Sequence, residues 1–217
     1  MTDTIVFDVD GTLVDSTYHH LLAWSRAFDD VGVRVPCWRL HQCMGMGGDQ
    51  LVEAAAGSVV ELGVGNDVRS LWRKAYDELV EDVRPLPYAV AALHEARRLG
   101  AKVVLATSGN EDHIRRTLEI LEIGREEFPL VSSADVDRTK PDADLISAAL
   151  DRVEATRAVV VGDTVWDVEA GNRAGVPTIG VLTGGVAEER LREAGAVEVF
   201  DDVAAIRAAL PALLAQG

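Results

Sequence analysis

A short apolar run, Ile5-Val6-Phe7, leads straight into Asp8-Val9-Asp10-Gly11-Thr12-Leu13-Val14-Asp15, two carboxylates one residue apart followed by a glycine. β-Branched and aromatic residues favour a strand, and Gly11 lets the chain turn as soon as the strand ends. Successive strand residues point to opposite faces, so Asp8 and Asp10 share a side and can act on one ligand. In an open parallel sheet, ligands bind outside the carboxyl ends of the strands, which is where this run leaves the pair. The strand also stands alone: the periodicity after Asp15 turns helical and stays so to about residue 84, and further strand patterns begin only after residue 100. A first strand separated in this way from its neighbours requires the intervening helical block to be an insertion.

The helical block opens with an apolar stripe of Tyr18, Leu21, Leu22, Trp24, Ala27 and Phe28 that stops at Gly32. A second piece over 38–44 ends at the glycines of Gly45-Met46-Gly47-Gly48. Residues 51–62 and 68–83 read as two more helices, the latter opened by Asn66-Asp67 as a capping signal. Pro85-Leu86-Pro87 marks a boundary, after which helix and strand alternate as in a parallel sheet. Strands are expected at 102–106, 130–132, 158–161, 178–181 and 197–200, and helices at 88–99, 112–121, 142–153, 164–174, 188–194 and 203–214. The fold class is therefore α/β: a Rossmann-like parallel sheet core from residues 1–15 and 85–217, with an all-helical cap, residues 16–84, inserted over the carboxylate pair.

Acids outnumber Lys plus Arg by 36 to 21, a net charge of −15, which repels nucleic-acid backbones and anionic membrane surfaces. No nucleic-acid or membrane partner is expected, and no apolar run approaches the roughly 18 residues of a membrane span. The N-terminus lacks the basic and long apolar regions of a signal peptide, and Cys37 and Cys43 match no zinc or redox pattern, so a cytoplasmic location is expected. The same negative field repels a phosphorylated metabolite, so a site for one needs a local cation, which points to a bound metal.

Three later strand ends offer further chemistry. Thr107 follows Val103-Val104-Leu105-Ala106, Lys140 sits in Thr139-Lys140-Pro141-Asp142 before a helix, and Asp163 and Asp167 close Val160-Val161-Gly162-Asp163-Thr164-Val165-Trp166-Asp167. Taken singly these are a helix cap, a solvated lysine and two turn residues; together they all lie at carboxyl ends of expected parallel strands.

In that order these motifs resemble those of the haloacid dehalogenase-like (HAD) superfamily of phosphohydrolases, in its branch with a helical cap of the first class, which includes phosphoglycolate phosphatases and beta-phosphoglucomutase-like enzymes. The resemblance covers almost the whole chain, cap position included. It implies that Asp8 is the nucleophile and forms an aspartyl-phosphate. It implies that Asp10 is first acid and then base, Thr107 binds a phosphoryl oxygen, and Lys140 neutralises charge on Asp8. Asp8, Asp163, Asp167 and the Asp10 backbone carbonyl would bind Mg²⁺. An acid role requires a proton on Asp10, and neighbouring carboxylates and exclusion of water are expected to push its carboxyl above the usual value of about 3.9. Asp8, Asp163 and Asp167 against Lys140 sum to −2 with Asp10 protonated, and one Mg²⁺ brings that to zero.

The expected function is a Mg²⁺-dependent phosphatase acting on a small phosphorylated metabolite. The alternative is a sugar phosphomutase of the beta-phosphoglucomutase type, since Asp15 to His20 resembles the hinge of those enzymes, with His20 where they often carry a histidine. Against it, the Gly45 to Gly48 loop stands where such mutases place an arginine for a second phosphate, leaving Arg39 or Lys74 as substitutes. Dehalogenation is disfavoured by Asp10. Phosphonate hydrolysis would need a Schiff-base lysine, and Lys74 is the only lysine in the cap. A phospho-receiver module would need its acceptor Asp on a later strand, and a catalytically silent binding protein is disfavoured by the intact carboxylate pair.

Overall fold

The computed structural model describes residues 2–215. Six parallel strands, β1 (Thr4–Phe7), β2 (Lys102–Ala106), β3 (Leu130–Val131), β4 (Ala158–Gly162), β5 (Thr178–Val181) and β6 (Glu198–Phe200), form one sheet in the order β3-β2-β1-β4-β5-β6. The first strand is thus central, and the order reverses beside it, the point where ligands bind in sheets of this kind. Both faces of the sheet are buried, which is why its strands read as continuous rather than alternating apolar runs. Ile5 and Phe7 join one core with Val103, Leu105, Val159 and Val161, whereas Val6 joins a second with Val104, Val160, Leu145 and Ala149.

Helices α5 (Ala89–Arg98), α6 (Glu111–Leu121) and α10 (Val203–Ala215) bury Leu93, Leu118 and Ile206 in the first core. Helices α7 (Asp144–Arg152) and α8 (Val165–Arg173) cover the other face through Ile146 and Ala170, and α9 (Glu188–Ala194) packs on α8. Between β1 and α5 the chain forms α1 (Thr17–Asp30), α2 (Cys37–Cys43), α3 (Gly48–Ala56), α4 (Ser58–Leu79) and a short 3₁₀ turn at Val80–Asp82. It enters and leaves this block side by side: Asp15 N donates to Arg84 O at 2.9 Å and Leu86 N to Leu13 O at 2.9 Å. Helix α1 lies against α4, with Trp24 and Trp72 stacked at 4.6 Å and 7°. The first core runs without interruption from Phe7 through Leu13 and Val83 to Trp24, Val68 and Tyr76.

One expected boundary is corrected. The third and fourth inserted helices part at Gly57, not at Asn66-Asp67, and α4 continues unbroken through both residues. Gly57 takes φ +89°, a left-handed region that costs a side-chain-bearing residue but not glycine. Asn66 caps nothing because its carboxamide oxygen accepts from Arg69 Nη2 at 3.0 Å. The same guanidinium grips both oxygens of Glu61, at 2.9 and 2.8 Å, and that carboxylate lies over Gly65, where a Cβ would meet it at 2.6 Å.

Candidate active site

Parallel pairing brings the loops after β1, β2 and β4 to one end of the sheet. Asp8 N donates to Val161 O (2.8 Å) and Thr107 N to Val131 O (3.0 Å), so the ladder itself sets where these residues leave it. The loop carrying Lys140 arrives from the β3 side. Asp8, Asp10, Thr107, Lys140 and Asp163 line one cavity of about 60 Å³, with Thr17, His20, Ser108 and Thr164 beside them. On the helical side its wall is Trp24, Met44, Met46, Leu51 and Trp72, with Gly45 and Gly48.

Lys140 is buried, and its Nζ contacts Asp8 Oδ1 and lies 2.6 Å from Asp167 Oδ1. Burial alone would lower its proton affinity, but Asp167 and Asp8 more than reverse this and hold it above the usual lysine range. Asp8 is pushed up to about 7, by burial first and by repulsion from Asp167 and Asp10, against the pull of Lys140. Asp163 is raised well above the ordinary carboxylate value by burial and by Asp8 and Asp167. Carboxylates crowded closely enough to retain protons leave an excess of negative charge that a cation can neutralise in the protons' place.

Oxygens of Asp8, Asp163 and Asp167 all lie within 4.8 Å of one another. Asp163 Oδ1 accepts from Thr12 Oγ1 at 3.1 Å, while Asp163 Oδ2 is buried with no hydrogen-bond partner. Gly11 and Gly184 wall this carboxylate, and a Cβ on either would collide with Oδ2. Three carboxylates around a buried, unpartnered oxygen fit a hard divalent cation such as Mg²⁺. Asp167 contributes differently from Asp163. Its Oδ2 accepts from Thr164 N (3.0 Å) and Thr164 Oγ1 (2.6 Å), closing a capping box at the start of α8, and its Oδ1 serves Lys140. The Asp10 carboxylate is outside this cluster.

Asp10 departs from expectation. Burial does push its carboxyl up, but the attraction and hydrogen bond of His20, with the hydroxyl of Ser16, outweigh burial and hold it below the usual carboxylate range. Ser16 Oγ donates to Asp10 Oδ1 at 2.7 Å, and His20 Nε2 lies 3.2 Å from the same oxygen. Thr107 Oγ1 donates to Asp10 Oδ2 at 3.3 Å and is itself fixed by Gly109 N at 2.9 Å. The expectation weighed nearby carboxylates and the cap, and not the donors that the start of α1 brings to this side of the pair.

The glycine loop between α2 and α3 is pressed onto the core. A Cβ at Gly45 would strike Thr164 Oγ1 and one at Gly47 would strike Thr139 Oγ1. Next to it, Asp49 accepts from Thr139 N (3.2 Å) and from Thr139 Oγ1, and Gln50 Nε2 donates to Thr139 O (2.7 Å). The inserted block is thereby tied to the residue preceding Lys140. Arg39 and Lys74, the substitutes considered for a second phosphate, are both exposed and outside the cavity lining.

Asp49 and Gln50 have no signal in the sequence, and Thr12 and Ser16 stand there only as members of longer motifs, with no role of their own. Thr164 had a legible signal, a threonine three residues before an acid at a helix start. Trp24 and Trp72 had none, because an aromatic at helical spacing reads as core.

Residues 5–181 match the family described as haloacid dehalogenase-like hydrolase. The chain belongs to that family. This HAD-like hydrolase is 31% identical to a phosphoglycolate phosphatase of Rhodospirillum rubrum, over 95% of its own length and 90% of the relative's. It is 27% identical to a validoxylamine A 7'-phosphate phosphatase of Streptomyces hygroscopicus subsp. limoneus, over 84% and 87% respectively. A solved hydrolase from Pseudomonas syringae superposes with a TM-score of 0.93 at 30% identity, covering 97% of this chain and 98% of that one. The α/β sheet with its helical insertion is thus the architecture of the family, and no helix among the described residues is long and apolar enough to cross a membrane.

Proposed function

We propose that this HAD-like hydrolase is a Mg²⁺-dependent phosphatase that hydrolyses a small phosphorylated metabolite through an aspartyl-phosphate on Asp8. Residues 1–15 and 85–217 would be the catalytic core and residues 16–84 the cap. The observation that carries this reading is the Asp8 carboxylate, buried against Lys140 and opening on the same cavity as Asp10, Thr107 and Asp163. The phosphatase names of the relatives support it.

In the first step an Asp8 oxygen attacks phosphorus while the bond to the ester oxygen breaks, and Asp10 gives that oxygen its proton. In the second, Asp10 as carboxylate takes a proton from water, whose oxygen attacks phosphorus and releases Asp8 and inorganic phosphate. A monoester dianion beside Asp10 opposes the preference set by His20 and Ser16, since two negative charges raise the proton affinity of a neighbouring carboxyl, and so moves Asp10 toward the protonated form that the first step needs. Lys140 offsets the charge of Asp8, and the Thr107 hydroxyl exchanges its bond to Asp10 for one to a phosphoryl oxygen. Asp8, Asp163, Asp167 and the Asp10 backbone carbonyl would hold Mg²⁺. Bound there, Mg²⁺ would neutralise carboxylate charge and orient the phosphoryl group for in-line displacement. The cap excludes water from the first step.

A phosphomutase needs a second phosphate-binding cation in the cap, and among the described residues the cavity wall there carries no arginine or lysine, while its one histidine, His20, is paired with Asp10. A reducing compartment such as the cytoplasm accords with two free thiols, Cys37 exposed and Cys43 buried. The test is phosphate release from p-nitrophenyl phosphate. Activity should require Mg²⁺, disappear with EDTA, and fall by at least about a thousandfold in Asp8→Asn; full activity in that variant would sink the mechanism.

A further inference from the structure

The cavity differs in character between its two ends. At the sheet end stand the carboxylates, Lys140 and the hydroxyls of Thr17, Thr107 and Thr164. At the other end, where the group attached to phosphate must sit, the wall is Trp24, Met44, Met46, Leu51 and Trp72. Among the described residues lining the cavity there is no arginine, Lys140 is the one lysine, already committed to Asp8 and Asp167, and the one histidine, His20, is committed to Asp10, its Nε2 3.2 Å from Oδ1. The guanidinium nearest the glycine loop, Arg69, spends its donors on Glu61, Asn66 and Gly48 O (3.0 Å).

We infer that the leaving group this site accepts is uncharged and presents an apolar face, such as a ring, and that monoesters carrying a second anion are rejected. This rests on the phosphatase reading above and narrows it. A carboxylate or second phosphate at the tryptophan end would be buried against indole, thioether and aliphatic carbon, with Lys140 and His20 already paired to carboxylates and no free cation to pair it, the arrangement in which desolvation of a charge is least compensated. The indole N–H of Trp72 is buried without a partner, and a single neutral donor of that kind does not offset a full charge. Trp24 and Trp72, stacked on one another, both border the cavity and add apolar ring carbon to its wall. Selection here works by leaving the wrong partner unpaired.

Two pairs of esters that differ only in charge test this on the wild-type protein with Mg²⁺: phenyl phosphate against 4-carboxyphenyl phosphate, and phosphoglycolamide against 2-phosphoglycolate. The neutral member of each pair should have the higher kcat/KM by at least about tenfold, with phenyl phosphate the best of the four. Met46→Arg, which puts a cation in the loop wall, should narrow both ratios. A carboxylated ester used within tenfold of its neutral partner in either pair, or ratios unmoved by Met46→Arg, would overturn the inference and leave the phosphatase reading standing. No phosphate release from any of the four would overturn the phosphatase reading, and this inference with it.

Discussion

Asp8 is gripped by Lys140, and Asp10 by Ser16 and His20, so two aspartates two residues apart meet opposite electrostatic surroundings. His20 belongs to a wider aromatic cluster, stacked on Tyr76 at 3.8 Å, which in turn lies 4.5 Å from His113. His113 is buried, and burial, then repulsion from His20, lowers its imidazole from 6.5 to about 4. Between those two values the unfolded chain binds more protons than the folded one, so stability rises with pH through that window. It is fully present above about 6.5 and is lost as pH falls towards 4. His113→Gln lacks this term. The gap in urea-unfolding free energy between wild type and His113→Gln should therefore shrink by about 2 kcal/mol from about pH 7 to about pH 5. A gap independent of pH would show that His113 titrates normally in the folded protein.

Among the elements, the boundaries of β2, β5 and α9 were legible to the residue, since apolar runs bounded by glycine, proline and charged residues are local signals. The division between α3 and α4 was not. Asn66-Asp67 carries a capping signature, but Arg69 occupies the Asn66 side chain, and nothing local distinguishes Gly57 from Gly63 or Gly65 as the place where the backbone turns. The Gly45 to Gly48 loop shows the same limit: its composition reads as a turn, while its glycines are required by Thr164 and Thr139, residues about a hundred positions away. Gly47→Ala places a Cβ on Thr139 Oγ1 and so pushes apart the loop and the segment holding Lys140. The expected cost is about 1–3 kcal/mol in urea unfolding, together with a lower kcat; unchanged stability would mean that the loop swings freely from the core.

On the scale of the whole molecule, a chain of net charge −15 gathers three buried carboxylates around one lysine at the centre of its sheet. That concentration is unfavourable without a cation, so a divalent ion that binds the folded state alone must stabilise it. At a hundredfold excess over its dissociation constant, Mg²⁺ should add about 2.7 kcal/mol. Thermal unfolding of wild type with and without Mg²⁺ should show the shift, and Asp163→Asn should largely lose it. An equal shift in that variant would place the cation elsewhere.

Local order of apolar and polar residues, and the interval between the first strand and the rest, were enough to establish a parallel α/β sheet with a helical insertion. They also singled out Asp8, Asp10, Thr107 and Asp163, because strand ends in such a sheet converge whatever the details of packing; Lys140, nine residues beyond β3, and Asp167, in the first turn of α8, stood out through the family resemblance. What surrounds those residues came only from the tertiary structure: the donors that keep Asp10 ionised, the unpartnered oxygen of Asp163, the tie between Asp49 and Thr139, and the uncharged wall of Trp24, Leu51 and Trp72. Each depends on side chains distant in sequence meeting across elements, and desolvation and pairing are properties of that meeting rather than of any residue alone.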